Sequence, residues 1–163
     1  MDEQLIIVNN LDKVIGYKER DKITSKDIYR ISVLWIINSK GMVLLAKRAL
    51  SEKKGPGKWG PGVAGTIAKG ETYFSNIMKE AKEELGLINI YPVRGEKDRI
   101  KKKDENYFRQ WYHISINKNL SEFKLDKDEV SEVKWFRKDD LIKEIKKNPK
   151  KFTSAVISIF ENS

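Results

Sequence analysis

The sequence predicts a mixed α/β domain in which helices cover both faces of a sheet. Three observations carry this. Runs rich in β-branched and aromatic residues flank a single strongly patterned helix at about 72–85. Two more helical stretches close the chain, at about 139–147 and 149–163. The length of 163 residues suits one core and is short for two, so the chain reads as a single domain over 1–163.

Residues 1–27 read as an N-terminal hairpin extension. Leu5-Ile6-Ile7-Val8 and Val14-Ile15-Gly16-Tyr17 are its strands, and Asn9-Asn10-Leu11-Asp12 supplies the turn. Residues 28–37 form an apolar strand around Trp35. After the turn residues Asn38-Ser39-Lys40-Gly41, residues 42–47 resume as its antiparallel partner. Residues 49–62 hold Gly55-Pro56-Gly57 and Gly60-Pro61-Gly62, a density that implies tight bends and close backbone approach to a ligand. A short strand at 63–67 leads to the helix at 72–85, which Gly86 ends as a left-handed cap. Strands are expected near 88–93, 107–116 and 132–136. Asp139-Asp140 starts the next helix, and Pro149 opens the last, which ends near Phe160.

Composition removes several classes. With no Cys there is no disulfide framework, thiolate zinc site or thiol nucleophile. No apolar run approaches the roughly 18 residues needed to span a bilayer. Met1-Asp2-Glu3-Gln4 lacks a signal-peptide pattern, so the expected location is cytoplasmic, away from membranes. The net charge of +9 favours polyanions as partners. Its lysines are spread along the chain, however, so charge speaks to solubility and encounter rate and names no specific partner.

The central helix carries the chemistry. At 100° per residue, with Glu80 at zero, Glu83 falls near ~300° and Glu84 near ~40°. Ile77, Ala81, Phe74, Leu85 and Met78 form the adjoining apolar stripe, at roughly 60–160°. Glutamate is a good helix former, and three on a solvated face need no function. These three, however, lie toward the C-terminal end, where the helix dipole disfavours negative charge. Their spacing also costs a few tenths of a kcal/mol per pair unless a cation neutralises them. All-oxygen ligation suits magnesium, which bridges phosphate oxygens and polarises phosphorus.

Gly65, five residues, Glu71, seven residues, then Lys79-Glu80-Ala81-Lys82-Glu83-Glu84-Leu85-Gly86-Leu87 resembles the Nudix box over residues 65–87. Lys79 stands where the family pattern has Arg, and Ala81 is smaller than the common aliphatic. Lys keeps the charge but lacks the planar fork that holds a carboxylate in two hydrogen bonds. The resemblance implies a Nudix-type α/β/α sandwich with a mixed central sheet. It also implies metal ligation by Glu80, Glu83 and Glu84, with help from the Gly65 carbonyl, and pairing of Glu71 with Lys79. The implied activity is metal-dependent hydrolysis of a diphosphate linkage in a nucleoside diphosphate joined to a further moiety. Magnesium is the expected cofactor, with manganese as substitute, and the partner is a small-molecule nucleotide. The wider chain is similar to the branch that includes isopentenyl-diphosphate isomerase, through Asp12-Lys13-Val14-Ile15-Gly16, Tyr29-Arg30, Gly57-Lys58-Trp59, Glu129-Val130 and Phe152-Thr153.

Other residues supply candidate roles. The base that activates water is a box glutamate or a loop acid, Glu129 or Glu105. Arg48 and Lys58 are candidates for holding phosphate. Trp59 reads as core. An isomerase is the first alternative, but such enzymes use a Cys and several His, and this chain has His113 alone. A non-catalytic or RNA-directed, decapping-like domain is the second. Basic charge favours it, and the intact carboxylate set argues against it. Nothing selects the nucleobase, the leaving moiety or the oligomeric state, with a homodimer among the options.

Overall fold

The computed structural model describes residues 3–161. Strands β1 (Gln4–Val8) and β2 (Val14–Glu19) pair antiparallel as the expected hairpin. Asn9 Oδ1 accepts the backbone N–H of Leu11 and Lys13, which closes the turn. Asp12 there has a left-handed φ of 59°. Its carboxylate accepts from Arg30 Nε at 2.7 Å, Lys97 Nζ at 2.8 Å and the Tyr73 hydroxyl at 2.9 Å. Burial alone would raise the Asp12 carboxyl, but the bonds from Lys97, Arg30 and Tyr73 outweigh it and hold the group below its usual range. The hairpin is thus tied to the domain through its turn. Its Ile6 and Val8 pack on Ile28 and Ile67.

Seven strands form the main sheet: β3 (Tyr29–Ile37), β4 (Val43–Arg48), β5 (Trp59–Pro61), β6 (Val63–Thr66), β7 (Val93–Lys102), β8 (Glu105–Ser115) and β9 (Val130–Phe136). Their order is β5-β4-β3-β8-β7, with β6 beside β3 and β9 beside β4. Strands β3 and β8 are parallel and the other pairs antiparallel, so the sheet is mixed. Strand β3 changes partner midway: it meets β6 from Ile31 to Leu34 and β4 at Ile36 and Ile37.

The alternation of a strand decides the layers. Leu34 and Ile36 share one core with Ile77, Ala81 and Leu85 of α1 (Tyr73–Leu85). Val33 and Trp35 face the other way. They share the second core with Leu141 and Ile145 of α2 (Lys138–Lys147) and Val156 of α3 (Ser154–Ile159). Helices cover both faces, which makes the expected α/β/α sandwich. Among the described residues no helix is long and apolar enough to cross a membrane.

Three expectations are corrected. Residues 88–93 are loop up to Val93, because Asn89 takes a second left-handed φ of 54° soon after Gly86 and leaves Ile88 and Tyr91 exposed. The strand of that region is instead β7, a charged sheet edge. The last helix does not run from Pro149. Pro149–Lys151 is one 3-10 turn, Phe152 bridges to Trp59 in extended backbone, and α3 starts only at Ser154. The expected end of that helix at 162–163 lies outside the described residues. Phe74, assigned to the apolar stripe, is 48% exposed and rests edge-on against Tyr112.

Candidate active site

Helix α1 is bounded as its ends demand. The Thr72 hydroxyl accepts the N–H of Ser75, and the Ser75 hydroxyl accepts the N–H of Thr72, a reciprocal capping box. At the other end Gly86, at φ 69°, donates to the Lys82 carbonyl, and Leu87 donates to that of Ala81. A loop then docks on the helix end. Lys124 and Asp126 donate their backbone N–H groups to the carbonyls of Leu85 and Glu84, at 3.1 and 3.0 Å. Glu129 follows, with its N–H on the Asp126 carbonyl and its own carbonyl accepting from Ala49.

That docking brings three carboxylates together. One oxygen each from Glu80, Glu84 and Glu129 lie within 4.8 Å of one another. Glu84 is buried, Glu80 half-buried and Glu129 exposed. Burial, more than any neighbour, pushes the Glu80 carboxyl up to about 7. The Lys79 charge opposes this, and the charges of Glu83 and Glu129 add to it. Burial likewise drives Glu84 well above the carboxylate range, followed by its hydrogen bond with Glu129 and the Glu80 charge, while Arg48 opposes. Glu83, expected among the ligands, sits on the exposed side of the helix and outside this group.

Gly65 and Glu71 sit beside the cluster for steric and polar reasons. A Cβ at Gly65 would lie 2.5 Å from Glu80 Cγ and 2.7 Å from Asn76 Oδ1, so only glycine lets β6 approach α1 this closely. Lys79 Nζ lies 2.7 Å from Glu71 Oε2 and 3.5 Å from Glu80 Oε1. Glu71 Oε1 accepts from the Ala68 N–H at 2.7 Å and from Asn76 Nδ2 at 3.1 Å. Burial works to raise the Glu71 carboxyl, yet the bonds from Lys79, Ala68 and Asn76 outweigh it and hold it low. Sequence reasoning missed Asn76 and its partner Ser32, both fully buried. Near ~320° on the helix wheel, Asn76 falls among the carboxylates and reads as solvated surface.

Arg48 and Lys58 flank one space: a Cβ at Gly55 would touch the Cδ of each at 3.6 Å. Arg48 is partly engaged already, donating to the Lys54 carbonyl at 2.7 Å and to Glu52 at 3.2 Å. Two other candidates lie outside the acid cluster. Glu105 meets the Ser154 hydroxyl at 3.5 Å, and His113 lies 3.3 Å from Glu96 at the sheet edge. Trp59 packs edge-on against Phe136, as a core residue.

The donor set fits a hard divalent cation. Clustered carboxylate oxygens are its preferred ligands, and a cation there would oppose the burial that raises the Glu80 and Glu84 carboxyls.

Comparison with known proteins identifies the family and the fold. The NUDIX domain family matches residues 28–156. An uncharacterised Nudix hydrolase of Listeria monocytogenes is 27% identical over 121 residues, 74% of this chain and 70% of that protein. An isopentenyl-diphosphate Delta-isomerase of an Enterobacter species is 25% identical, covering 100% of this chain and 92% of its own. A prenyl-diphosphate phosphatase of Methanosarcina mazei is 29% identical over 155 residues, covering 92% and 91%. The crystal structure of DR0079 from Deinococcus radiodurans shares the fold at a TM-score of 0.84 and 19% identity, over 98% of both chains. With its box on α1 and the family's match spanning most of the sequence, the chain belongs to the NUDIX domain family and is a Nudix hydrolase.

Proposed function

We propose that this hydrolase depends on magnesium, with manganese able to substitute, and cuts the diphosphate linkage of a nucleoside diphosphate joined to a further group. The observation that carries this is the convergence of Glu80, Glu84 and Glu129 at the docked end of α1. In this reading Glu80 and Glu84 hold the metal, with Glu83 and the Gly65 carbonyl as further ligands. The ion supplies charge neutralisation on the phosphate oxygens. Glu129, the exposed member of the cluster, accepts the proton of the attacking water. Glu71 and Lys79 orient Glu80. Arg48 and Lys58, side by side at Gly55, hold the phosphate that is not attacked.

A second reading, a prenyl diphosphate as substrate, is favoured by the likeness to the Methanosarcina phosphatase along nearly the full length of both chains. Isomerase chemistry is disfavoured in spite of the isomerase relative. The chain has no thiol, and its single imidazole lies beside Glu96 and outside the acid cluster. RNA is a lesser candidate, because the chemistry of cap cleavage is the same but no aromatic platform for single strands is evident.

The test is a product-release screen with magnesium and then manganese. Substrates are nucleoside diphosphate sugars, dinucleoside polyphosphates, nucleoside triphosphates, capped RNA and prenyl diphosphates. Turnover of nucleoside diphosphate derivatives is expected. Release from prenyl diphosphates alone selects the second reading, and no metal-dependent release from any of them overturns both.

A further inference from the structure

We infer that Asn76, backed by Ser32, is a positioning residue that completes the clamp on Glu71 which Lys79 alone leaves half made. The inference rests on the hydrolase reading above and adds a residue that the box pattern does not specify.

The geometry is specific. A carboxylate offers two oxygens, and an arginine fork can hold both. The lysine ammonium is a point donor and reaches Glu71 Oε2 at 2.7 Å. The other oxygen, Oε1, is taken by Asn76 Nδ2 and the Ala68 N–H. Asn76 Nδ2 also donates to the Thr66 carbonyl at 3.1 Å, so one amide joins Glu71 to the end of β6. Its oxygen accepts from the Ser32 hydroxyl at 2.6 Å, which anchors the amide to β3. That same oxygen lies against Gly65, where a Cβ would be 2.7 Å away. Asn76 therefore links Glu71 to Thr66, next to the contact between Gly65 and Glu80.

Energetics argue that this is more than filler. A fully buried amide and hydroxyl between a sheet and a helix carry a desolvation cost that apolar side chains avoid. The cost is met only because both amide protons and the amide oxygen are used. A network satisfied this completely fixes geometry more than it adds stability. What it fixes here is the orientation of Glu71, and through Lys79 that of Glu80.

The test combines Asn76→Ala with Lys79→Arg. Calorimetric titration with manganese, kcat, KM and circular dichroism melts are measured for the parent, both single variants and the double variant. Asn76→Ala is expected to weaken manganese affinity and lower kcat, each by about tenfold, the scale of losing a residue that orients a ligand. KM should change little. Lys79→Arg should restore most of both losses, because its fork reaches the second oxygen. A purely structural Asn76 would lower the melting temperature without this rescue. Equal losses with and without the Lys79→Arg substitution, or unchanged affinity and kcat, overturn the inference. If Asn76→Ala folds poorly, Asn76→Ser carries the same comparison: an affinity between parent and metal-free behaviour that Lys79→Arg restores supports the inference, and parental affinity overturns it. A parent that binds no manganese fails the hydrolase reading along with this one. A parent that binds it only as tightly as Asn76→Ala does fails this one alone.

Discussion

Gly65 and Glu80 meet at a distance that no side chain on β6 would permit, 2.5 Å from the place of a Cβ to Glu80 Cγ. The carboxylate-bearing part of α1 is therefore set against bare backbone, and Glu80 is confined by contact as well as by Lys79. Gly65→Ala is expected to push Glu80 or β6 aside, at about 1–3 kcal/mol of stability. Turnover should fall by more than that destabilisation explains, on the order of a hundredfold for a ligand displaced by an ångström. Chemical denaturation and steady-state kinetics on the same preparation separate the two effects.

The carboxylates should rank by burial. Glu84→Gln removes the buried member of the cluster and should cut turnover by on the order of a hundredfold or more. Glu83→Gln, on the exposed side of the helix, should weaken magnesium binding less than Glu84→Gln does. A larger loss at Glu83 than at Glu84 would assign the ion to the other flank of the helix.

Acid titration gives a signed prediction. Glu80 is raised from 4.5 to about 7 in the fold, and Glu84 is raised as well. Between those two values the native state binds more protons than the unfolded chain, so metal-free stability should fall as pH rises through that window. Magnesium should offset the loss, and its apparent affinity should climb as pH passes about 7. Below the window the opposite group acts. Asp12, Asp27 and Glu71 are held low, so stability is lost again as pH falls through their depressed values. Melting curves with and without magnesium from pH 4 to 9 check both signs; a metal-free protein that stabilises steadily from pH 5 to 8 would refute the first.

The hairpin tether is separable from the site. Asp12→Ala strands the nearly buried Arg30 and removes a residue suited to its left-handed turn. A loss of about 3 kcal/mol is expected, from breaking a mostly buried ion pair. Asp12→Asn, which tolerates the same backbone, should lose less. Urea denaturation measures both, and manganese affinity of the folded fraction should match the parent. A drop in that affinity would join the hairpin to the site.

How much of this was written in the sequence depends on the kind of signal. The 3.6-residue pattern of α1 and the Gly86 cap are local, so the helix and its carboxylate face could be read directly. Strand β7 could not. Its Lys97-Asp98-Arg99-Ile100-Lys101-Lys102 run has the charge of a protected sheet edge and too little apolar content to read as a strand. Phe152 breaks the last helix only because it bridges to Trp59, far earlier in the chain, which no local window contains. Within the site, Glu129 was legible as one of two loop acids, and the docking of its loop on Glu84 brings it, and not Glu105, to the carboxylate cluster. Asn76 stayed hidden because a buried polar residue on a polar helix face looks like a solvated one.

The loop that caps α1 has a further consequence for motion. Lys124 is exposed and Asp126 only half-buried, yet their amide protons are spent on the last carbonyls of the helix. To move away, the loop must first give up those bonds and leave the last carbonyls of α1 to water, so departure of the loop carries that cost. In amide exchange these two positions should be as slow as the last turn of α1, and quite unlike the surface turns around them. The segment that carries Glu129 toward Glu84 then behaves as part of the scaffold, although it has no regular secondary structure of its own.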